Sequence, residues 1–339
     1  MSTLLDLDYN ELKDCISQIG EMPFRAAQII KWLTAQKKFD EMTDLSAALR
    51  KKLKENFLEG YAKPLQILTS TDGTKKYLFE FPDKSTVESV LMHKNYGNTV
   101  CVSTQVGCRM GCVFCSSCAD GLKRNLSAGE ILAQVLAVNA DMGEGRNLTN
   151  IVLMGMGEPL DNYENVIKFI KLVNAPQSLN IGIRNISLST CGLVEQIKKL
   201  ADEKLSVTLS ISLHAPNDEK RKQIMPTANK YSIKDILISA QEYFAKTGRR
   251  IIIEYAMIDG LNDTKEDAQE LCVLLRQLHC HVNLIPLHKK DGQTLCATPM
   301  QKIYSFCKML EEGGLSATIR KSMGEDISGA CGQLRQRYL

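Results

Sequence analysis

The spacing of apolar residues divides the chain into two regimes. Up to about residue 60 it follows the helical period of about 3.6 residues. Leu5 and Leu7 lead into three predicted helices, over residues 10–19, 24–35 and 45–57. The third carries Ala47, Leu49 and Leu53 on one side and Arg50, Lys51, Lys52 and Lys54 on the other. Such a basic face suits phosphate contact; the solvated face of a structural bundle is the alternative. Between residues 65 and 92 the period changes, and 77–81 and 86–92 read as strands around the turn Pro82-Asp83-Lys84. Beyond residue 99, short apolar runs alternate with longer helical patterns. Strands are predicted over 99–103, 150–154, 185–189, 206–212, 251–257 and 282–285. Helices are predicted over 128–139, 164–173, 193–200, 233–246, 265–278 and 300–312, the first opened by the capping box Ser127-Ala-Gly-Glu130. Six strand–helix units imply a parallel sheet, since each crossover buries its helix on the sheet. The expected fold class is α/β. A partial or closed barrel is preferred to a doubly wound sheet because polar and glycine positions recur just after the strands. Periodicity alone does not separate the two. Three divisions are expected: residues 1–62, a helical accessory domain; 63–97, a β extension or linker; and 98–339, the core.

Composition adds limits. A chain of 339 residues accommodates one large domain and a smaller one. Its 42 basic and 39 acidic residues leave a net charge of +3, which excludes a globally basic nucleic-acid coat. Local basic pairs remain, Lys123-Arg124 and Arg249-Arg250. No apolar stretch is long enough to span a bilayer, and the start, MSTLLDLDYNELKDC, lacks a cationic lead and an apolar signal core. Twelve cysteines without a secretion signal fit a reducing cytoplasm, where thiols bind metal or do chemistry.

Five of those cysteines fall between Cys101 and Cys118, in CVSTQVGCRMGCVFCSSC. Cys108, Cys112 and Cys115 form C-x3-C-x2-C, with Phe114 before the third. Three thiolates on a short loop can ligate three irons of a cubane cluster and leave the fourth iron open to a chelating small molecule. The alternatives are a zinc site, with Cys118 as fourth ligand, or cysteines that merely pack.

Further candidates stand after the predicted strands. Met154-Gly-Met-Gly-Glu-Pro159 offers glycines, which let backbone approach a ligand, and a carboxylate suited to an ammonium group. Ser189-Thr-Cys-Gly192 and Ser210-Ile-Ser-Leu-His-Ala-Pro216 offer small hydroxyls for ribose and carboxylate hydrogen bonds. Asn283 lies on the last predicted strand, and Cys331, flanked by Ala330 and Gly332, is a candidate nucleophile.

Taken together, Cys108–Cys115, Met154–Pro159, Ser210–Asp218 and Ala330-Cys-Gly-Gln333 resemble the RlmN/Cfr family of radical S-adenosylmethionine (SAM) RNA adenine methyltransferases. The resemblance implies a partial (β/α)6 radical-SAM barrel, one 4Fe–4S cluster held by Cys108, Cys112 and Cys115, and two SAM per turnover. It places SAM on Gly157, Glu158, Ser189, Ser212, Leu213, His214 and Asn283. It also implies a two-cysteine mechanism. Cys331 accepts a methyl group from one SAM; a second SAM is cleaved to a 5′-deoxyadenosyl radical, which takes hydrogen from methylated Cys331. The carbon radical adds to adenine, joining protein to RNA. Cys101 resolves the adduct, forming a Cys101–Cys331 disulfide, and Glu88 matches the proposed proton acceptor. The implied target is C2 of adenosine 2503 in 23S rRNA and of adenosine 37 in some tRNAs. C8 methylation of the same rRNA adenosine, an antibiotic-resistance activity, is the alternative; the MGMGEPL and SLHAPND segments resemble the C2 enzymes more closely. An electron donor such as flavodoxin or ferredoxin and a monomeric state are expected. Cys118 and Cys191 depart from the family pattern, as does the segment after Pro286, which lacks the aromatic and asparagine of that loop. Two rival readings are a radical-SAM enzyme acting on a small molecule or peptide, and a zinc-stabilised RNA-binding protein.

Overall fold

The computed structural model describes residues 3–334, apart from 96, 144, 146 and 289–294. Helices α1 (Tyr9–Gln18), α2 (Arg25–Thr34) and α3 (Ala47–Asn56) form near the predicted positions. Asp8 caps α1 by accepting from the amides of Asn10 and Glu11, while Glu11 accepts from the amide of Asp8. Ser46 caps α3. Leu12, Ile16, Ile29, Leu33, Leu49 and Leu53 are buried together, as the 3.6-residue spacing requires. The basic face of α3 is engaged within the chain. Lys52 pairs with Glu21 at 2.7 Å, Lys54 with Asp40 at 2.5 Å and Lys51 with Glu55 at 3.8 Å, and Arg50 donates to the Asp40 carbonyl.

Strands β1 (Pro64–Thr69), β2 (Lys75–Glu80), β3 (Thr86–Lys94) and β4 (Gly97–Cys101) pair antiparallel in sequence order. Two short strands, β5 (Gln105–Gly107) and β6 (Leu122–Asn125), form a separate ladder whose connection is the cysteine loop. The chain then alternates α4 (Ala128–Asp141), β7 (Leu148–Leu153), α5 (Tyr163–Asn174), β8 (Ile186–Thr190), α6 (Val194–Asp202) and β9 (Thr208–Ser212). It continues through α7 (Asp218–Ile224), α8 (Ile233–Thr247), β10 (Ile251–Met257), α9 (Lys265–Leu275), β11 (Cys280–Pro286), α10 (Met300–Glu312) and β12 (Ala317–Ile319). The ten-stranded sheet runs β1-β2-β3-β4-β7-β8-β9-β10-β11-β12, parallel from β4 onward. The expected α/β class with a parallel sheet is therefore borne out. Four strands are additional to those expected: β5 and β6 of the short ladder, and β1 and β12 at the edges of the large sheet. β12 is only three residues long, and β1 turns Leu65 and Ile67 outward, inverting the usual alternation.

After β12 the chain crosses to the opposite edge of the sheet. The hydroxyl of Ser70 donates to Asp326 at 2.5 Å, and the amide of Gly324 donates to Asp72 at 3.0 Å. The sheet is thus curved, its two edges bridged by this segment rather than by strand pairing. Helix α4 is buried along most of its length between the sheet and residues 4–6. Its Gly129 amide donates to Asp6 at 2.6 Å, and a Cβ there would stand 2.9 Å from the Asp6 amide. The N-terminal helices are docked on the core by close backbone contact.

Candidate active site

The carboxyl ends of the parallel strands face the loop between β5 and β6. The loop is pinched at its base: Gly107, at φ +77°, leaves room for the Gly121 carbonyl, 1.9 Å from where a Cβ would stand. The Cys108 amide donates to that carbonyl at 3.0 Å, and the Cys115 amide to the Cys112 carbonyl at 3.1 Å. Between loop and strand ends lies a cavity of about 150 Å³. Cys108, Cys112, Cys115 and Cys118 wall one side; Gly157, Glu158, Ser189, Ser212, His214 and Glu254 wall the other. Cys331 closes it from the C-terminal segment. Of these eleven residues, ten, all but Glu254, were singled out from the sequence, and they meet around one space.

The glycines after β7 serve packing first. A Cβ on Gly155 would stand 2.7 Å from the Val102 carbonyl, and one on Gly157, at φ +102°, 2.6 Å from the Gln105 side chain. Glu158 accepts from the amides of Leu160 at 3.1 Å and Cys191 at 2.8 Å, tying this turn to the end of β8. Burial raises its pKa. The hydroxyls of Ser189 and Ser212, on neighbouring strands, stand 3.4 Å apart. His214 adopts φ +58°, and its amide and that of Leu213 both donate to the Glu254 carbonyl. Its Nδ1 accepts from the Ala256 amide at 2.9 Å, so the neutral ring carries its proton on Nε2. Burial, with Arg221 adding to it, lowers the pKa of His214 to about 3.

Two candidates stand behind the wall. The Leu213 side chain is fully buried, so only its backbone is offered. Asn283 donates to Glu254 at 3.3 Å and accepts from Thr318 at 3.1 Å. Glu254 itself escaped sequence reasoning. In the sheet register it stands between Ser212 and Asn283. One carboxylate oxygen lies 3.6 Å from Arg320 without a hydrogen bond, and burial raises its pKa. Arg221 was missed as well. Its guanidinium, wholly buried, donates to the carbonyls of Cys191, Ser212 and Leu213 and so fixes the ends of β8 and β9.

A second, smaller cavity of about 40 Å³ holds Cys101, with Val90, Met92, Lys94 and Arg320. Cys331 lines both cavities. Cys331 is exposed where it lines them, and desolvation raises its pKa while Arg320 pulls it down. Cys101 is buried outright, which together with nearby Cys331 pushes its thiol up to about 12. Glu88 lines neither cavity. It sits on the same face of β3 as Val90 and Met92 and pairs with Lys76 at 3.1 Å, both side chains deeply buried.

The chain is similar to known proteins along nearly its whole length. The chain matches the radical SAM superfamily over residues 102–272 and the N-terminal domain of ribosomal RNA large subunit methyltransferases over residues 2–58. It is 51% identical to a probable dual-specificity RNA methyltransferase RlmN of Clostridium perfringens, covering 100% of this chain and 98% of that one. The corresponding protein of Desulforamulus reducens is 49% identical, over 99% and 96%. A crystal structure of a radical SAM methyltransferase from Sphaerobacter thermophilus superposes with a TM-score of 0.96 at 42% identity, covering 99% of each chain. The chain belongs to the RlmN-type radical SAM methyltransferase family. Membership implies a 4Fe–4S cluster and SAM.

The residues present fit that group. All the donors on the loop are thiols, the ligand type of iron–sulfur clusters, and they face strand ends rich in hydroxyl, carboxylate and imidazole groups. Among the described residues, no three His, Cys, Asp or Glu side chains close on one point as a formed metal site does; the thiols instead ring one wall of the cavity. They are linked to one another. Hydrogen bonds from Cys108, Cys112 and Cys115 hold the Cys118 thiol below its usual range, and the same bonds, with burial, push the other three up. Most of the segment after Pro286 that departs from the family pattern, residues 289–293 of 287–293, lies outside the described residues. No helix among the described residues is long and apolar enough to cross a membrane.

Proposed function

We propose that this chain methylates C2 of adenosine in RNA, at adenosine 2503 of 23S rRNA and adenosine 37 of tRNA, through a methylated Cys331 and a transient Cys101–Cys331 disulfide. The observation that carries the reading is the position of Cys331 as the shared wall of two cavities. One holds the cysteine loop and the strand ends; the other holds Cys101. A residue that is first methylated, then stripped of hydrogen, then bonded to Cys101 must face both partners in turn.

In this reading Cys108, Cys112 and Cys115 hold the cluster. Gly157, Glu158, Ser189, Ser212, Leu213, His214 and Asn283 hold SAM, which is used twice per turnover as methyl donor and radical source. The cluster supplies the electron that turns SAM into a hydrogen-abstracting radical, and flavodoxin or ferredoxin supplies that electron in turn. Arg320 favours the thiolate of Cys331 as nucleophile for the methyl group. Methylated Cys331, after losing a hydrogen atom, presents its carbon to the adenine; the adduct would return one electron to the oxidised cluster and give up the ring proton. The Cys101 thiolate then attacks the Cys331 sulfur, breaking its bond to that carbon, which takes a proton as the product leaves and the disulfide forms. Glu88 accepts the ring proton, steadied by Lys76, from the face of β3 that lines the Cys101 cavity. Residues 1–62 act as an RNA-contacting accessory domain, 63–97 as a β extension and 98–339 as the catalytic core. The enzyme works in the cytoplasm as a monomer.

The test is mass spectrometry of adenosine from ribosomal RNA incubated anaerobically with reconstituted protein, SAM and reductant. 2-Methyladenosine is expected; 8-methyladenosine would replace the regiochemistry, and unmodified RNA would remove the reading. Cys331→Ala should abolish methylation, and Cys101→Ala should leave RNA covalently attached to the protein.

A further inference from the structure

Cys118 has no part in the chemistry above, yet the fold presents it to the same space as the three cluster cysteines. Cys115 is the N-cap of a single 3-10 turn, Ser116–Cys118. Residues three apart in such a turn lie one above the other, which brings Cys118 back beside Cys115. Its carbonyl accepts from the Gly121 amide at 3.3 Å, and the Gly121 carbonyl accepts from Cys108, so the turn is folded onto the first cysteine too. The result is a half-buried fourth thiol that lines the larger cavity together with Cys108, Cys112 and Cys115.

This placement is built from both sides of the site. The buried hydroxyl of Ser117 donates to the Leu334 carbonyl at 2.8 Å, and the Ser116 amide donates to the Gly332 carbonyl at 2.7 Å. The turn is clamped by the segment that carries Cys331, so the fourth sulfur is held at the cavity wall. Three protein thiolates leave one iron of a four-iron cluster without a protein ligand. A thiolate held beside that iron is always present at high effective concentration, whereas SAM must arrive from solution.

We infer that Cys118 is a fourth, exchangeable thiolate ligand of the cluster, occupying the open iron until the amino and carboxylate groups of SAM displace it. The inference rests on the assignment of Cys108, Cys112 and Cys115 as cluster ligands. The exchange involves no change of oxidation state: the iron–sulfur bond to Cys118 would break, the ammonium of SAM would give up one proton as its nitrogen and a carboxylate oxygen bind the iron, and the released thiolate would take up that proton. In the absence of SAM the cluster is capped on all four irons and protected from losing the labile one. The cap also competes with SAM and weakens its apparent affinity by the fraction of open iron.

The test compares full-length protein with Cys118→Ala, both reconstituted anaerobically and free of SAM. On ferricyanide oxidation, the variant should lose one iron and give the electron paramagnetic resonance signal of a 3Fe–4S cluster, while the unmodified protein keeps four irons. SAM should bind the variant several-fold more tightly. A second measurement uses the unmodified protein alone: iodoacetamide should spare Cys118 without SAM and alkylate it once SAM is added, read by peptide mass spectrometry. Equal loss of iron from both proteins, or alkylation of Cys118 that ignores SAM, overturns the inference. If neither protein takes up iron, the cluster assignment fails and the inference falls with it. Normal iron loading with no SAM effect at Cys118 refutes the inference alone.

Discussion

The buried imidazole of His214 makes the stability of this protein depend on pH in a calculable way. Burial, followed by the charge of Arg221, holds its pKa at about 3 in the folded chain, against about 6.5 in an unfolded one. At neutral pH the imidazole is neutral in the folded chain and mostly neutral in the unfolded one. As pH falls through about 6.5 the unfolded chain gains a proton that the folded chain refuses until about 3, so the folded state loses ground throughout that window. The slope approaches about 1.4 kcal/mol per pH unit, and integration from about pH 7 to about pH 5 gives roughly 2 kcal/mol from this residue. His214→Asn isolates the effect. Asparagine tolerates the left-handed backbone at φ +58°, offers an acceptor to the Ala256 amide and does not titrate. Urea unfolding of both proteins, followed by circular dichroism at the two pH values, gives two stability differences. Subtracting variant from wild type removes the other histidines and carboxylates. The wild type should lose roughly 2 kcal/mol more than the variant between the two conditions. Parallel losses would sink the idea that His214 is held neutral by burial.

Three further outcomes are expected. Lys76→Met removes the ammonium that pairs with the buried carboxylate of Glu88, which should cost about 3–5 kcal/mol in urea unfolding; the double variant Lys76→Met/Glu88→Gln should recover much of it, and no recovery would deny the pair its role. Gly157→Ala sets a methyl group 2.6 Å from the Gln105 side chain and 2.9 Å from its amide at φ +102°, a strain of about 1–3 kcal/mol. SAM affinity by equilibrium dialysis should fall, and unchanged affinity would separate this turn from the SAM site. Arg221→Met leaves the carbonyls of Cys191, Ser212 and Leu213 without their buried donor, each about 1–3 kcal/mol, so the urea midpoint should drop sharply; a midpoint within error of wild type would show that those carbonyls find other partners.

What could be read from the chain alone followed the range of the signal. The cysteine loop was legible because its spacing is local, and β7 to β11 because each is an apolar run broken by a helix. Strand β12 was too short to register, and β1 displays its apolar residues to solvent. Glu254 sits in Ile-Ile-Ile-Glu-Tyr-Ala-Met, where one acid in a buried parallel strand is itself a signal of a polar partner, though one that does not name Asn283 or Arg320. Arg221 lies in the run Asp218-Glu-Lys-Arg-Lys222, which looks solvated; only the tertiary fold turns that one side chain inward. The basic face of α3 reads as free charge until Asp40, Glu21 and Glu55 are seen beside it. The relation of Cys101 and Cys331 rests on resemblance, because no periodicity spans that distance; in the structure both line one cavity.

The clamp between Ser117 and Leu334 also sets a clock. The two residues are 217 positions apart, and at about 5–20 residues per second a ribosome needs roughly 10–40 s to pass from one to the other. Throughout that interval the four thiols of the loop exist without the segment that later covers them. A carrier delivering iron and sulfide to the growing chain meets an open loop; one arriving after residue 334 has folded meets a covered one. Order of synthesis thus sets how long these thiols stand open before the clamp closes beside them.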